Sequence, residues 1–157
     1  MTSAVDAEPG FLLEREQLVR RELPELFEFF SDPKNLEELT PPWLNFRVLE
    51  SSTPVIGQGT TIDYSLRIHG IPMKWRSLIS TWNPPYEFVD EQVRGPYRSW
   101  IHHHSFEEAA EGVLVRDRVR YRVLGGALVN SLFIRRDLDK IFSYRQESLA
   151  RVLPGTR

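Results

Sequence analysis

The chain has 157 residues, of which 41% are apolar and 27% charged, with a formal net charge of −2 and no cysteine. That length suits one domain, which buries about two thirds of its unfolded surface and needs no metal or bridge to hold a core. The missing thiols exclude disulfides, thiolate nucleophiles and cysteine-ligated zinc or iron–sulfur centres, and the small net charge gives no basic footprint for nucleic acid.

Met1 to Gly10 contains Asp6 and Glu8 and lacks the basic-then-apolar order of a signal peptide. It reads as a loose tail in front of a single domain spanning 1–157. No apolar run approaches the roughly 20 residues needed to cross a bilayer, and a cytoplasmic location is the expectation. Phe11 to Val19 reads as a strand with imperfect alternation. Two short helices follow. Pro24 sits in the first turn of one, ahead of Leu26, Phe27, Phe29 and Phe30. The other has Asp32 as its cap, Pro33 at its first position and Leu36 and Leu39 turned inward. Pro41-Pro42 stops it, because neither proline donates a backbone hydrogen bond.

From there Gly and Pro turns punctuate six extended segments: Leu44–Ser51, Thr60–His69, Met73–Trp82, Glu87–Arg94, Arg98–Glu107 and Val113–Leu124. Short strands joined by tight turns with no helix between them form an antiparallel meander. Gly125-Gly126 marks a sharp turn off the last strand. Ala127 to Leu153 contains neither Gly nor Pro. There Leu128, Leu132, Leu138, Ile141, Phe142, Leu149 and Val152 suggest an apolar face on a helix about 40 Å long.

Alternation then sorts the faces. In the last strand Val113, Val115, Val119, Tyr121 and Val123 share a side with Asp117, while Arg116, Arg118, Arg120 and Arg122 take the other. The arginine row reads as a solvated sheet face. Trp100, His102, His104 and Phe106 point inward on the preceding strand, and His103 points away. Phe88, Asp90 and Gln92 share one side of theirs, in competition with Val89 and Val93. Ile62, Tyr64, Leu66 and Ile68, with Met73, Trp75 and Ile79, complete the inner wall.

That wall mixes large aromatics with Asp90, Gln92, His102, His104 and Asp117. Each unpaired polar group buried there would cost roughly 1–3 kcal/mol. Either these groups form a satisfied internal network, or they line a wet pocket that a ligand enters. The two arrangements are compatible. His102 and His104, two apart on a strand, lie about 6.5 Å apart along it, and Asp90 or Asp117 is available as a third metal donor. A His-X-His pair alone does not define a metal centre, and no metal or other cofactor is expected.

Several segments carry a resemblance. They are Phe88-Val89-Asp90-Glu91-Gln92, Gly95-Pro96-Tyr97 and Trp100-Ile101-His102-His103-His104-Ser105-Phe106. Asp117, Tyr121, the helix ending Ile141-Phe142-Ser143-Tyr144-Arg145, and Thr40-Pro41-Pro42-Trp43-Leu44 belong with them. Together with the order of elements, they make the chain similar to the START-like, or SRPBCC, superfamily, which includes polyketide cyclase/dehydrase-like and birch-pollen-allergen-like members. The resemblance implies an α+β helix-grip fold: a seven-stranded antiparallel sheet wrapped around a long C-terminal helix, with two short helices after the first strand. It also implies a cavity between sheet and helix for a hydrophobic or amphipathic guest of lipid, quinone or polyketide type. The expected lining is Tyr64, Leu66, Trp75, Phe88, Asp90, Gln92, Trp100, His102, His104, Phe106, Asp117 and Tyr121 from the sheet, with Leu132 from the helix. Two alternatives stand beside simple binding. One is a cyclase or dehydratase in which His102, His104, Asp117 and Tyr121 share the roles of base, orienter and acid. The other is a non-catalytic lipid or quinone chaperone, or a protein-interaction module, although no partner motif is present.

Overall fold

The computed structural model describes residues 9–156, so the expected tail lies outside the described residues except for Pro9 and Gly10. The strands are β1 (Phe11–Val19), β2 (Arg47–Ser51), β3 (Thr61–Ile68), β4 (Ile71–Asn83), β5 (Glu87–Arg94), β6 (Ser99–Ala109) and β7 (Gly112–Arg122). Among the described residues they form one seven-stranded sheet in the order β1-β7-β6-β5-β4-β3-β2. Every neighbouring pair is antiparallel. The first strand therefore lies against the last one, and the chain crosses to the far edge of the sheet through α1 (Leu23–Ser31) and α2 (Pro33–Leu39).

Local chemistry sets the boundaries. Asp32 caps α2 by accepting the Lys34 amide at 3.0 Å, as its spacing before Pro33 predicts. The second extended segment starts three residues later than expected. Pro42–Leu44 winds into a single 3-10 turn closed by Asn45 in the left-handed region, at φ 44°, a conformation asparagine tolerates better than most residues. β4 carries an irregularity between Ile79 and Thr81 in its pairing with β5. The extra residue changes the parity of the strand. Both Ile79 and Trp82 consequently line the interior.

After β7 the chain turns at Gly125, φ 87°, where a Cβ would collide with the Val129 side chain. The helical path then runs through α3 (Gly126–Val129), a π-turn at Asn130–Ile134 and α4 (Arg135–Val152). Leu138, Phe142 and Leu149 are buried against the sheet, and burying each contributes about 1.5–3 kcal/mol. Leu128 and Leu132 do not belong to this stripe. They are 68% and 55% exposed; Leu132 lies in the π-turn, six residues before Leu138 and out of step with the buried face.

Polar side chains from the first strand fix the helix in place. Gln17 donates to the Gln146 carbonyl at 2.9 Å, and Gln146 donates back to the Glu16 carbonyl at 3.0 Å. Arg15 pairs with Asp139 at 2.7 Å, and Arg135 donates to the Leu12 carbonyl at 2.9 Å. The outer face of β7 behaves as its arginines predict: Arg116 meets Glu16 and Glu107, and Arg118 meets Glu14. The result is a helix-grip fold, with the curled sheet holding the long C-terminal helix.

Candidate functional site

The concave face of β3 to β6, together with α2 and α4, encloses a cavity of about 650 Å³. Its wall is largely aromatic and aliphatic. Trp75 meets Trp100 edge-on, with ring centroids 5.4 Å apart, and Phe88 stacks on His104 at 4.1 Å. Trp82 reaches across to Phe27 of α1. At the exposed end, His69 in the β3–β4 turn pairs with Asp137 of α4 at 2.7 Å, and both residues line the cavity.

The other end is polar. The registers place His102 opposite Asp90 and His104 opposite Asp117. The shortest contacts, however, run along the diagonals. His102 Nε2 lies 2.8 Å from Asp117 Oδ1, and His104 Nε2 lies 2.6 Å from Asp90 Oδ2. The two imidazoles stack with centroids 3.7 Å apart. The direct cross-strand pairs are longer, at 3.9 Å for His102 Nδ1 to Asp90 Oδ2 and 3.4 Å for His104 Nδ1 to Asp117 Oδ1. Arg145 enters from α4 and donates to both Asp117 oxygens, at 3.1 and 3.2 Å.

These contacts set the protonation states. Burial pushes the Asp117 carboxyl up, but the Arg145 guanidinium and the two histidines outweigh it and hold the group well below the ordinary carboxylate range. Asp90 is likewise held low: burial opposes its charge, and His104 and His102 more than compensate. The histidines diverge. Burial and the neighbouring His104 push His102 down to about 4. Burial also works against charge on His104, yet its contacts with Asp117 and Asp90 prevail and raise it. The cluster thus sets two carboxylates, Asp90 and Asp117, against the Arg145 guanidinium and two imidazoles of opposite tendency. Such pairing is what lets charges remain buried.

Of the side chains anticipated from sequence, Tyr64, Leu66, Trp75, Phe88, Asp90, Trp100, His102 and His104 line the cavity. Asp117 stands behind the histidines. Gln92 faces inward, but its side-chain amide donates to the Tyr97 carbonyl at 2.8 Å and accepts from the Tyr97 N–H at 3.0 Å, while Val93 is exposed. Phe106 packs in the core with Phe27 and Phe30. Tyr121 is fully buried, and its hydroxyl donates to Asn130 Oδ1 at 2.7 Å, so it offers no acid at the cavity wall. Leu132 is more than half exposed and does not line the cavity. His103 turns outward as expected and meets Glu87 at 2.7 Å.

Arg145 was not anticipated as a site residue. Its signal was available, since it is a charged residue in step with Leu138, Phe142 and Leu149 on the buried face of the helix. A charge on a buried stripe needs a buried partner, and Asp117 is the inward-facing acid of β7.

The fold has many relatives among solved structures. A protein from Chromobacterium violaceum, CV1439, superposes with a TM-score of 0.72 at 11% identity, covering 90% of this chain and 96% of that one. Ginseng major latex-like protein 151 from Panax ginseng gives 0.68 at 14% identity, covering 91% and 97%. The di-domain ARO/CYC StfQ from the steffimycin biosynthetic pathway gives 0.68 at 14% identity, covering 87% of this chain and 48% of that one. At these identities the likeness is one of fold. Among curated proteins, none matches the sequence. A family model described as polyketide cyclase / dehydrase and lipid transport matches residues 19–141, from the end of β1 into the middle of the C-terminal helix. This chain belongs to that family.

Proposed function

We propose that the protein binds a hydrophobic or amphipathic small molecule of lipid, quinone or aromatic polyketide type in the cavity between sheet and helix. The observation that carries this reading is the composition of the cavity: an aromatic wall ending in a mutually hydrogen-bonded cluster of carboxylates, imidazoles and a guanidinium. Cavities of roughly 300–1,000 Å³ with few polar groups are the usual form of small-molecule sites. The apolar body of a guest would lie against Trp75, Trp100 and Leu66, with a carbonyl or hydroxyl directed at His102 and His104. Native mass spectrometry of the protein after incubation with mixed lipids, quinones and aromatic polyketides tests the proposal. A stoichiometric complex supports it. Failure to retain any of these classes, with no NMR shift at Tyr64 or Trp100, sinks it.

One observation favours a second reading, catalysis of the cyclase or dehydratase kind. His102 and His104 line the same cavity with opposite tendencies, burial pushing the first down to about 4 and contacts with Asp117 and Asp90 raising the second. A neutral imidazole can take a proton from the carbon beside a carbonyl, and positive charge on the neighbouring ring stabilises the enolate that forms. Turnover of a model poly-β-ketone, lost in His102→Ala and in Asp117→Asn, would establish this reading. A bound but unchanged polyketide would leave the protein as a carrier.

A further inference from the structure

Asp90, His102 and His104 can each present one ligand atom to a common point, with all three atoms within 4.8 Å of one another. A zinc ion holds its nitrogen and oxygen ligands at about 2.0–2.2 Å, which places ligand atoms about 3.3 Å apart in a tetrahedral site. The distances from Asp90 Oδ2, 2.6 Å to His104 Nε2 and 3.9 Å to His102 Nδ1, straddle that value. The surrounding groups fit as well. His102 directs its other nitrogen, Nε2, at Asp117, which two bonds from Arg145 hold in place. A carboxylate behind a ligating imidazole fixes the ring and raises its basicity. On His104 the remaining nitrogen, Nδ1, is buried without a hydrogen-bond partner and lies 3.4 Å from the same Asp117 oxygen. A small rotation of the ring would complete that bond.

We propose that Asp90, His102 and His104 form a three-ligand site for a zinc-type divalent cation, with its open coordination positions facing the cavity. Imidazole and carboxylate donors suit this class of ion. Both imidazoles bind the ion in their neutral form, and the stacked rings splay so that both nitrogens aim at it. The dication and Arg145 then stand against Asp90 and Asp117, which leaves a single net positive charge. An anionic oxygen in an open position, such as hydroxide or a guest's enolate, phenolate or carboxylate, neutralises it. The proposal concerns the polar end of the cavity and does not depend on which organic guest fills the rest.

The test uses the full chain, stripped with a chelator and titrated at pH 7 with zinc chloride against a chromophoric competitor, without any organic guest. One equivalent bound more tightly than about 1 μM is expected. Asp90→Asn should weaken uptake by more than the roughly 10–100-fold typical of losing an outer-shell partner. Cobalt chloride added to the unaltered protein gives a reading independent of how any variant folds. Hyperfine-shifted imidazole signals from His102 and His104 support the site. Shifts at His69 or His103 instead, stoichiometric uptake that survives in folded Asp90→Asn, or no uptake at all would each overturn it. Guest binding is measured separately, so either proposal can fail alone.

Discussion

Arg145 and Asp117 are joined by two hydrogen bonds, Nε to Oδ2 at 3.1 Å and Nη2 to Oδ1 at 3.2 Å, across the gap between the C-terminal helix and β7. Both side chains are about nine-tenths buried, and the guanidinium also lies 5.3 Å from the centre of the Phe30 ring. This one pair locks the helix to the sheet and fixes the oxygen that organises both histidines.

Breaking it from one side leaves a charge buried without compensation. Arg145→Met should destabilise the fold by about 3–5 kcal/mol. Asp117→Leu combined with Arg145→Met should recover much of that loss, because no uncompensated charge remains. Urea unfolding of the two variants measures the difference. Equal stability for Arg145→Met and the unaltered protein would show that the pair is solvated rather than buried.

The pH dependence of stability follows from the divergent histidines. His104 is raised above its ordinary value of 6.5, so its contribution is complete below that pH and is lost as pH rises through the raised value. His102 has fallen to about 4. Between about 6.5 and 4 the unfolded chain takes up a proton that folded His102 refuses, so stability also drops on acidification in that window. Below it, the depressed Asp117 and Asp90 protonate and the remaining charge pairing is lost. Urea midpoints between pH 3 and pH 9 should peak near neutrality, and His104→Gln should flatten the alkaline limb. A midpoint that climbs steadily to pH 9 would contradict the assignment.

Enlarging an inward side chain separates binding from folding. Leu66 lines the cavity from β3, so Leu66→Trp fills open space rather than a packed core. The usual overpacking penalty of about 1–3 kcal/mol should largely be absent. The enhanced fluorescence of an anilinonaphthalene dye bound to the native protein should fall several-fold in this variant while the unfolding midpoint barely moves. Full dye binding in folded Leu66→Trp would place the dye elsewhere.

The contact between His69 and Asp137 spans the exposed end of the cavity, with the histidine largely in solvent. An exposed pair of this kind adds little to stability. His69→Ala should therefore leave the unfolding midpoint nearly unchanged while speeding release of a bound dye in stopped-flow displacement. Identical release rates would mean that guests leave by another route.

Much of this arrangement can be read from residue order. Regular Gly and Pro turns announce the meander, and strict alternation in β7 places Asp117 inside among valines. What sequence alone conceals depends on local departures from regular geometry. The irregularity after Ile79 returns Trp82 to the inner face, and no residue pattern in Met73–Trp82 signals the change of parity. Leu132 looks like part of the apolar helix face because leucine is common on such faces, although it sits in the π-turn, six residues before Leu138, out of step with the buried stripe. The diagonal pairing of His102 with Asp117 and His104 with Asp90 depends on side-chain rotamers across three strands, which spacing within a strand cannot report. Arg145 shows the converse. Its phase on the helix was readable, but its partner was identifiable only once β7 and the helix faced each other.

The pairing of β1 with β7 has a consequence for synthesis on the ribosome. Glu16 finds Arg116 only 100 positions later in the chain, and the residues that anchor the helix to β1 emerge later still. A nascent chain that ends before β7 has an unpaired first strand and an open, greasy trough in place of a chamber. Long-range pairings of this kind are slow to form, so the barrel-like half-shell stays vulnerable to self-association until translation is nearly complete. Truncations that remove the last helix should accordingly accumulate as insoluble material.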